Sequence, residues 1–125
     1  ELIDDSYNSN PSSLISAIDH INQSEKNKIL IIGDMGELGE LTDQYHRQII
    51  EKISKTKINV VLTMGEAFKA AINKIDRNTI LNLSTYEDLL DKALPAIKKD
   101  TIILVKASRF MGFENIVSQL KRRLQ

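Results

Sequence analysis

The chain reads as an α/β fold, a three-layer sandwich in which a mostly parallel sheet of about five to six strands carries helices on both faces. Three observations predict it. Ile29-Leu30-Ile31-Ile32 and Ile102-Ile103-Leu104-Val105 are apolar without alternation, as in strands buried on both faces. Between such runs stand segments whose apolar residues recur at helical spacing. The two kinds of segment alternate five times along the sequence, and parallel strands require crossovers of that kind.

The elements follow in order. Leu2-Ile3 forms a short strand ending at Asp4-Asp5. Asn10 caps a first helix with Pro11 at its first position, and Leu14, Ile15, Ile18 and Ile21 give it one apolar face. Lys28–Ile32 is the second strand. Thr42 is expected to cap the second helix, with Tyr45, Ile49, Ile50 and Ile53 inward. Asn59–Thr63 is the third strand, and Ala67, Phe68, Ala71, Ile72 and Ile75 mark the third helix. Thr79–Leu83 is a weaker strand. Ser84 and Glu87 have capping-box spacing before Leu89, Leu90, Ala93 and Leu94, and Pro95 is expected to end or kink that helix. Thr101–Val105 is the fifth strand; Phe113, Ile116, Val117, Leu120 and Leu124 line the last helix. The pattern is Rossmann-like.

A length of 125 residues predicts a single domain with a proper core. Lys plus Arg and Asp plus Glu number 17 each, so no overall charge points to nucleic acid or a membrane surface. The basic run Lys121-Arg122-Arg123 reads as a solvated last helical turn. With no cysteine, disulfides, thiolate metal sites and cysteine nucleophiles are excluded, and a reducing cytosol is the expected setting. No apolar stretch approaches the roughly 20 residues that span a bilayer. The chain opens directly on a strand, ELIDD, from which we expect a domain cut from a longer protein.

If every crossover is right-handed, all strands point their carboxyl ends the same way, and ligands of open α/β sheets bind at that rim. Asp4, Asp5, Tyr7, Asn8, Asn10, Asp34, Glu37, Lys106, Ser108 and Arg109 gather there. Gly33, Gly36 and Gly39, spaced three apart, match neither the dinucleotide fingerprint nor a phosphate loop. The chain therefore lacks the usual means of holding a triphosphate alone. A strand-end carboxylate can accept from both ribose hydroxyls, and the Asp4–Pro11 segment offers more polar groups than a helix cap needs. Lys106, Ser108 and Arg109 suit a carboxylate or phosphate, or else a salt bridge to rim acids. His46 and His20 read as ordinary surface or packing residues, and no His and acid pair has metal-ligand spacing.

Three blocks together, DDSYNSNPSSL, KILIIGDMGELGE with a histidine a few residues on, and ILVKASR before a last helix, resemble the C-terminal domain of the Mur ligases, in the branch that adds D-Ala-D-Ala. The resemblance runs over essentially the whole chain. One departure stands out: Ala107 occupies the glycine position of the usual Lys-Gly-Ser-Arg. The resemblance implies an ATP-dependent, amide-forming ligase of peptidoglycan precursor synthesis, cytoplasmic and monomeric. Its N-terminal domain would bind a UDP-sugar peptide, and its central domain would carry the phosphate loop and hold Mg2+. Residues 1–125 would be the third domain, with no catalytic or metal-binding residue of its own and no activity alone. By the same resemblance Asp4, Asp5, Tyr7, Asn8 and Asn10 would contact ATP, with Asp5 on the ribose and Asp4 as the alternative. Asp34, Met35, Glu37, Leu38, Lys106, Ser108 and Arg109 would face D-Ala-D-Ala, which joins UDP-MurNAc-tripeptide. The alternative is a stand-alone nucleotide-binding or regulatory α/β module. A phosphorylatable receiver would need an aspartate at the third strand's end, where the sequence has Leu62-Thr63-Met64.

Overall fold

The computed structural model describes residues 1–6, 9–73 and 79–124. Five strands, β1 (Leu2–Asp5), β2 (Asn27–Gly33), β3 (Val60–Met64), β4 (Ile80–Leu83) and β5 (Thr101–Lys106), form one sheet in the order β1-β5-β2-β3-β4. All neighbouring pairs are parallel. The central trio registers Ile31 against Val105 on one side and Leu62 on the other. The helices are α1 (Pro11–Asn22), α2 (Thr42–Ser54), α3 (Glu66–Ile72), α4 (Tyr86–Ala96) and α5 (Glu114–Arg123), with 3-10 turns at Gly39–Leu41 and Arg109–Met111. None of them is long and apolar enough to cross a membrane.

The alternation of side chains along each strand makes two cores. Leu30, Ile32, Val61, Ile102 and Leu104 pack with α1, α2 and α3. Ile29, Ile31, Leu62, Ile103 and Val105 pack with α4 and α5. This is why β2 and β5 read as unbroken apolar runs.

The helix starts show where local chemistry decided the boundary. The Asn10 side chain accepts from Ser13 N–H at 2.9 Å, and Ser13 Oγ accepts from Asn10 N–H at 3.3 Å, closing a capping box ahead of Pro11. Thr42, expected as a cap, is instead the first residue of α2, because the 3-10 turn runs straight into the helix; its hydroxyl donates to Gly39 C=O at 2.7 Å. Ser84 is likewise displaced by Thr85, whose Oγ1 accepts from Asp88 N–H at 3.0 Å. That shift puts Glu87 one position too early for a capping box. Pro95 is the penultimate residue of α4, which ends at Ala96. β3 begins one residue later than expected, since Asn59 turns its side-chain oxygen to Lys28 N–H at 2.8 Å. Leu124 lies beyond α5 and is exposed. Ile75, Tyr7 and Asn8 fall outside the described residues.

Candidate functional site

The carboxyl ends of β1, β5 and β2 lie side by side, so Asp5, Lys106 and Gly33 start three adjacent loops. The Gly33–Gly39 loop is pinned along its first half. Asp34 N–H donates to Met64 C=O at 3.1 Å, Met35 N–H to His46 Nε2 at 2.9 Å, and Gly36 N–H to Ser108 Oγ at 2.7 Å. Three consecutive amides are thus consumed by protein partners. A phosphate cradle needs such amides free and convergent, so this glycine-rich loop is not one.

Its side chains divide the same way. The Asp34 carboxylate accepts from Ala67 N–H at 2.9 Å and Phe68 N–H at 3.0 Å, capping α3 from a distant loop. Met35 is buried in the α1–α3 core. Glu37 is exposed in left-handed backbone with φ of 61°, a conformation that costs a residue with a Cβ about 1–2 kcal/mol. Leu38 is half-buried. It shares an open groove of about 530 Å³ with the cap residue Asn10, with Pro11 and Ile15 of α1 and with Tyr45 and Gln48 of α2. Asn10 and Leu38, expected in separate nucleotide and dipeptide sets, therefore line one groove.

His46 is fully buried. Its Nδ1 lies 2.7 Å from Thr42 C=O, which can only accept, while Nε2 accepts from Met35 N–H. The ring is therefore the Nδ1–H tautomer. It meets Phe68 edge-on at 4.6 Å, and Nε2 lies 3.9 Å from Asp34 Oδ1. The packing role expected of it holds, and it also fastens the loop to α2. His46→Phe should keep the ring packing yet strand Met35 N–H. The expected loss is about 1–3 kcal/mol, read by urea denaturation; an unchanged midpoint would show that this bond contributes nothing.

On the neighbouring strands Lys106 is 2% exposed and its ammonium donates to the Asp5 carboxylate. Asp4 is exposed, and its Oδ1 accepts from Ser6 N–H at 3.1 Å. Just beyond, the hydroxyls of Ser6 and Ser9 are buried with no hydrogen-bond partner among the described residues. Such groups cost about 1–3 kcal/mol each while unsatisfied. Ser108 is buried and occupied by Gly36, whereas Arg109 is exposed.

Against this geometry, known proteins were compared. The family described as Mur ligase, glutamate ligase domain, matches residues 1–109. The chain belongs to the Mur ligase family. This Mur ligase domain is 40% identical over 121 residues to the UDP-N-acetylmuramoyl-tripeptide–D-alanyl-D-alanine ligase of Buchnera aphidicola subsp. Acyrthosiphon pisum, covering 95% of the chain and 26% of that protein. It is 36% identical over 125 residues to the protein of the same name from Bacillus subtilis, covering 95% and 27%. Among solved structures it superposes on MurF from Acinetobacter baumannii with a TM-score of 0.84 at 26% identity, covering 95% of the chain and 27% of that structure. A MurF ligase from Thermotoga maritima in complex with ADP shares the fold, with a TM-score of 0.82 at 24% identity, covering 98% and 28%. The domain spans about a quarter of the length of the curated relatives it matches.

Ala107, where the family resemblance sets a glycine, is accommodated in this Mur ligase domain. Among the described non-glycine residues only Glu37 and Asp100 have positive φ, so the backbone at 107 tolerates a Cβ. The methyl is buried opposite Gly33, where an added Cβ would come within 3.1 Å of it. Sequence reasoning missed Phe110, a ring 67% exposed at the rim. Its signal was an apolar residue beside Arg109, ahead of the first inward position of α5.

Proposed function

We propose that this chain is the C-terminal domain of an ATP-dependent ligase that joins D-alanyl-D-alanine to UDP-N-acetylmuramoyl-tripeptide during cytoplasmic peptidoglycan precursor synthesis. The observation that carries the reading is the rim itself: polar and charged groups converge at the ends of β1, β2 and β5, yet the glycine loop's amides are spent on the fold. Such a rim supplies half of a site. Its naming rests on relatives that bear that ligase's name over nearly the whole chain.

In this reading the tripeptide carboxylate attacks the γ-phosphorus of ATP and expels ADP, giving an acyl phosphate. The amine of D-Ala-D-Ala then adds to the acyl carbon, and the tetrahedral intermediate loses inorganic phosphate and a proton to leave the amide. The domain's part is positioning, which converts encounters between bound reactants into an intramolecular step. The exposed Asp4 and the Ser6–Asn10 segment meet the nucleotide's ribose end. Among the described residues no group of three or more His, Cys, Asp or Glu could hold a metal; magnesium and the phosphate loop belong to the central domain, and the full protein acts as a monomer.

The test compares this chain with the full-length ligase, each given ATP, Mg2+, UDP-MurNAc-tripeptide and D-Ala-D-Ala. Phosphate release and the mass of the amide product are read. The full-length protein should ligate and the chain alone should not, and calorimetry should show no micromolar binding of ATP to the chain. Ligation by the 125 residues alone, or a full-length protein indifferent to D-Ala-D-Ala, would sink the proposal.

A further inference from the structure

The chain's net charge of zero conceals a division between its two ends. Every helix follows a parallel strand and runs back against it. Helix starts therefore share the carboxyl rim with Asp4, Asp5, Asp34 and Glu37, and helix ends lie at the amino rim. The first turns of α2 to α5 are acidic, with Asp43, Glu66, Glu87, Asp88 and Glu114. At the other end, α4 and α5 lie together on one face of the sheet. α5 finishes in Lys121-Arg122-Arg123, and the connection from α4 to β5 carries Lys98 and Lys99. All five are exposed, and none has a salt bridge among the described residues. The one acid in these two segments is Asp100. The connection is held in place: Asp100 C=O accepts from Asn27 N–H at 3.0 Å, and Asn27 Nδ2 donates to Ala96 C=O at 3.0 Å. At the start of β2, Lys28 is buried and its ammonium donates to the carbonyls of Ser24 at 2.8 Å and Lys26 at 3.3 Å. It adds positive charge to the same end without a carboxylate partner among the described residues. Helix-dipole complementarity accounts for cations in the last turn of α5. It does not call for Lys98 and Lys99, which lie past a helix whose own last turn holds no cation. Leu124, exposed and apolar, stands beside Arg123 at the tip of α5. At about 100° per residue, residues 121–124 fan around that tip.

We propose that this end of α4 and α5 is a docking surface for an anionic lipid bilayer. Lys98, Lys99, Lys121, Arg122 and Arg123 meet phospholipid headgroups, and Leu124 enters the boundary between headgroups and acyl chains. A cluster of this size suits an anionic leaflet, where each cation changes partitioning roughly fivefold. The apolar tip separates this partner from a nucleic acid. Duplex phosphates attract the same cations but offer a leucine nothing, and single strands are held by stacking on aromatic rings. Among the described residues every aromatic side chain lies away from this end: Tyr86, Phe110 and Phe113 at or before the starts of α4 and α5, Tyr45 and Phe68 on the opposite face of the sheet. The surface is at the rim opposite the ligand loops, so docking leaves those loops open. Five charges and one leucine fall far short of an inserted helix, so the attachment is reversible and salt-dependent.

The experiment is co-sedimentation of the full-length protein with vesicles of phosphatidylcholine, with and without phosphatidylglycerol; melting temperature is the check on folding. Wild type should pellet only with the phosphatidylglycerol vesicles, and should be released as salt rises from about 0.05 to 0.5 M. Replacing Lys121, Arg122 and Arg123 together by Gln should weaken binding about 10- to 100-fold, and Lys98→Gln with Lys99→Gln about 5- to 25-fold. Arg47→Gln, which removes an exposed cation on the opposite face, should change it less than about twofold. Leu124→Ser should weaken vesicle binding at least about threefold and leave binding to a duplex DNA oligomer unchanged. A wild type that ignores phosphatidylglycerol vesicles at low salt overturns the proposal, as do folded charge variants that bind them like wild type. Tighter binding of the DNA oligomer than of vesicles, with Leu124→Ser lacking effect on either, also overturns it and assigns the surface to nucleic acid. None of these readouts uses ligation, so the docking surface and the ligase reading fail separately.

Discussion

Gly65→Ala is expected to cost about 3–5 kcal/mol, more than any other single methyl added to the site's scaffold. Gly65 holds φ of 117° and ψ of 155°, a region that essentially only glycine enters. A side chain there is strained by about 1–3 kcal/mol before any contact is counted. The added Cβ would also land on the Asp34 carboxyl group. That carboxylate is the cap of α3: Gly65 sits at the cap position and has no side chain to offer, so Asp34 takes the Ala67 and Phe68 amides from across the chain. Pushing it away strands two helix N-terminal donors and removes a negative charge from the positive end of the helix, about 1–2 kcal/mol more. α3 has only seven residues, so little intrahelical bonding compensates. Circular dichroism should show a melting point lower by roughly 10–20 °C. A double-mutant cycle isolates the cause. Since Gly65→Ala already displaces the carboxylate, combining it with Asp34→Ala should cost clearly less than the sum of the two. Additive losses, or a Gly65→Ala variant within about 1 kcal/mol of wild type, would refute this account.

The same pair of residues shows what the sequence could and could not convey. The α/β class was legible because β2 and β5 are buried on both faces and carry no polar interruption until their ends. The rim followed from that, since parallel strands put Asp5, Gly33 and Lys106 at one edge. What one acid does at the rim was not legible. Asp34 and Glu37 stand three residues apart in one glycine-rich loop and look alike in sequence. They part only because α3 begins beside Asp34, and that depends on β3 pairing next to β2. Lys106 and Arg109 divide for a similar reason. Lys106 is the last residue of a buried strand and is registered against Asp5, while Arg109 lies past the strand in an exposed turn. Helix starts were misplaced at Thr42 and Ser84 because the first follows a 3-10 turn that runs into the helix and the second stands next to another capping residue; composition could not show either.

The Asp5–Lys106 pair gives the second large effect, and it is asymmetric. Lys106 is 2% exposed, while the Asp5 side chain is 47% exposed. Removing one partner of an ion pair is costly when the charge left behind stays buried. Asp5→Ala leaves a buried ammonium with its carboxylate gone and should cost about 2–4 kcal/mol, less than for a fully buried pair because Asp5 already meets water. Lys106→Met leaves a carboxylate that water can reach, and fills the buried stem's place with an unbranched apolar chain, so it should cost within about 1 kcal/mol. Urea midpoints of the two variants decide the matter; equal losses would mean that burial of Lys106 is not where the cost resides. Under the proposed function, the asymmetry bears on the nucleotide. One Asp5 oxygen is held by a buried lysine, which ties that carboxylate to the fold and leaves the other oxygen for a ribose hydroxyl, whereas Asp4 is exposed and holds only a local bond to Ser6. In the full-length ligase, Asp4→Asn should therefore raise KM for ATP with little change in melting, and Asp5→Asn should lower the melting point more than it raises that KM.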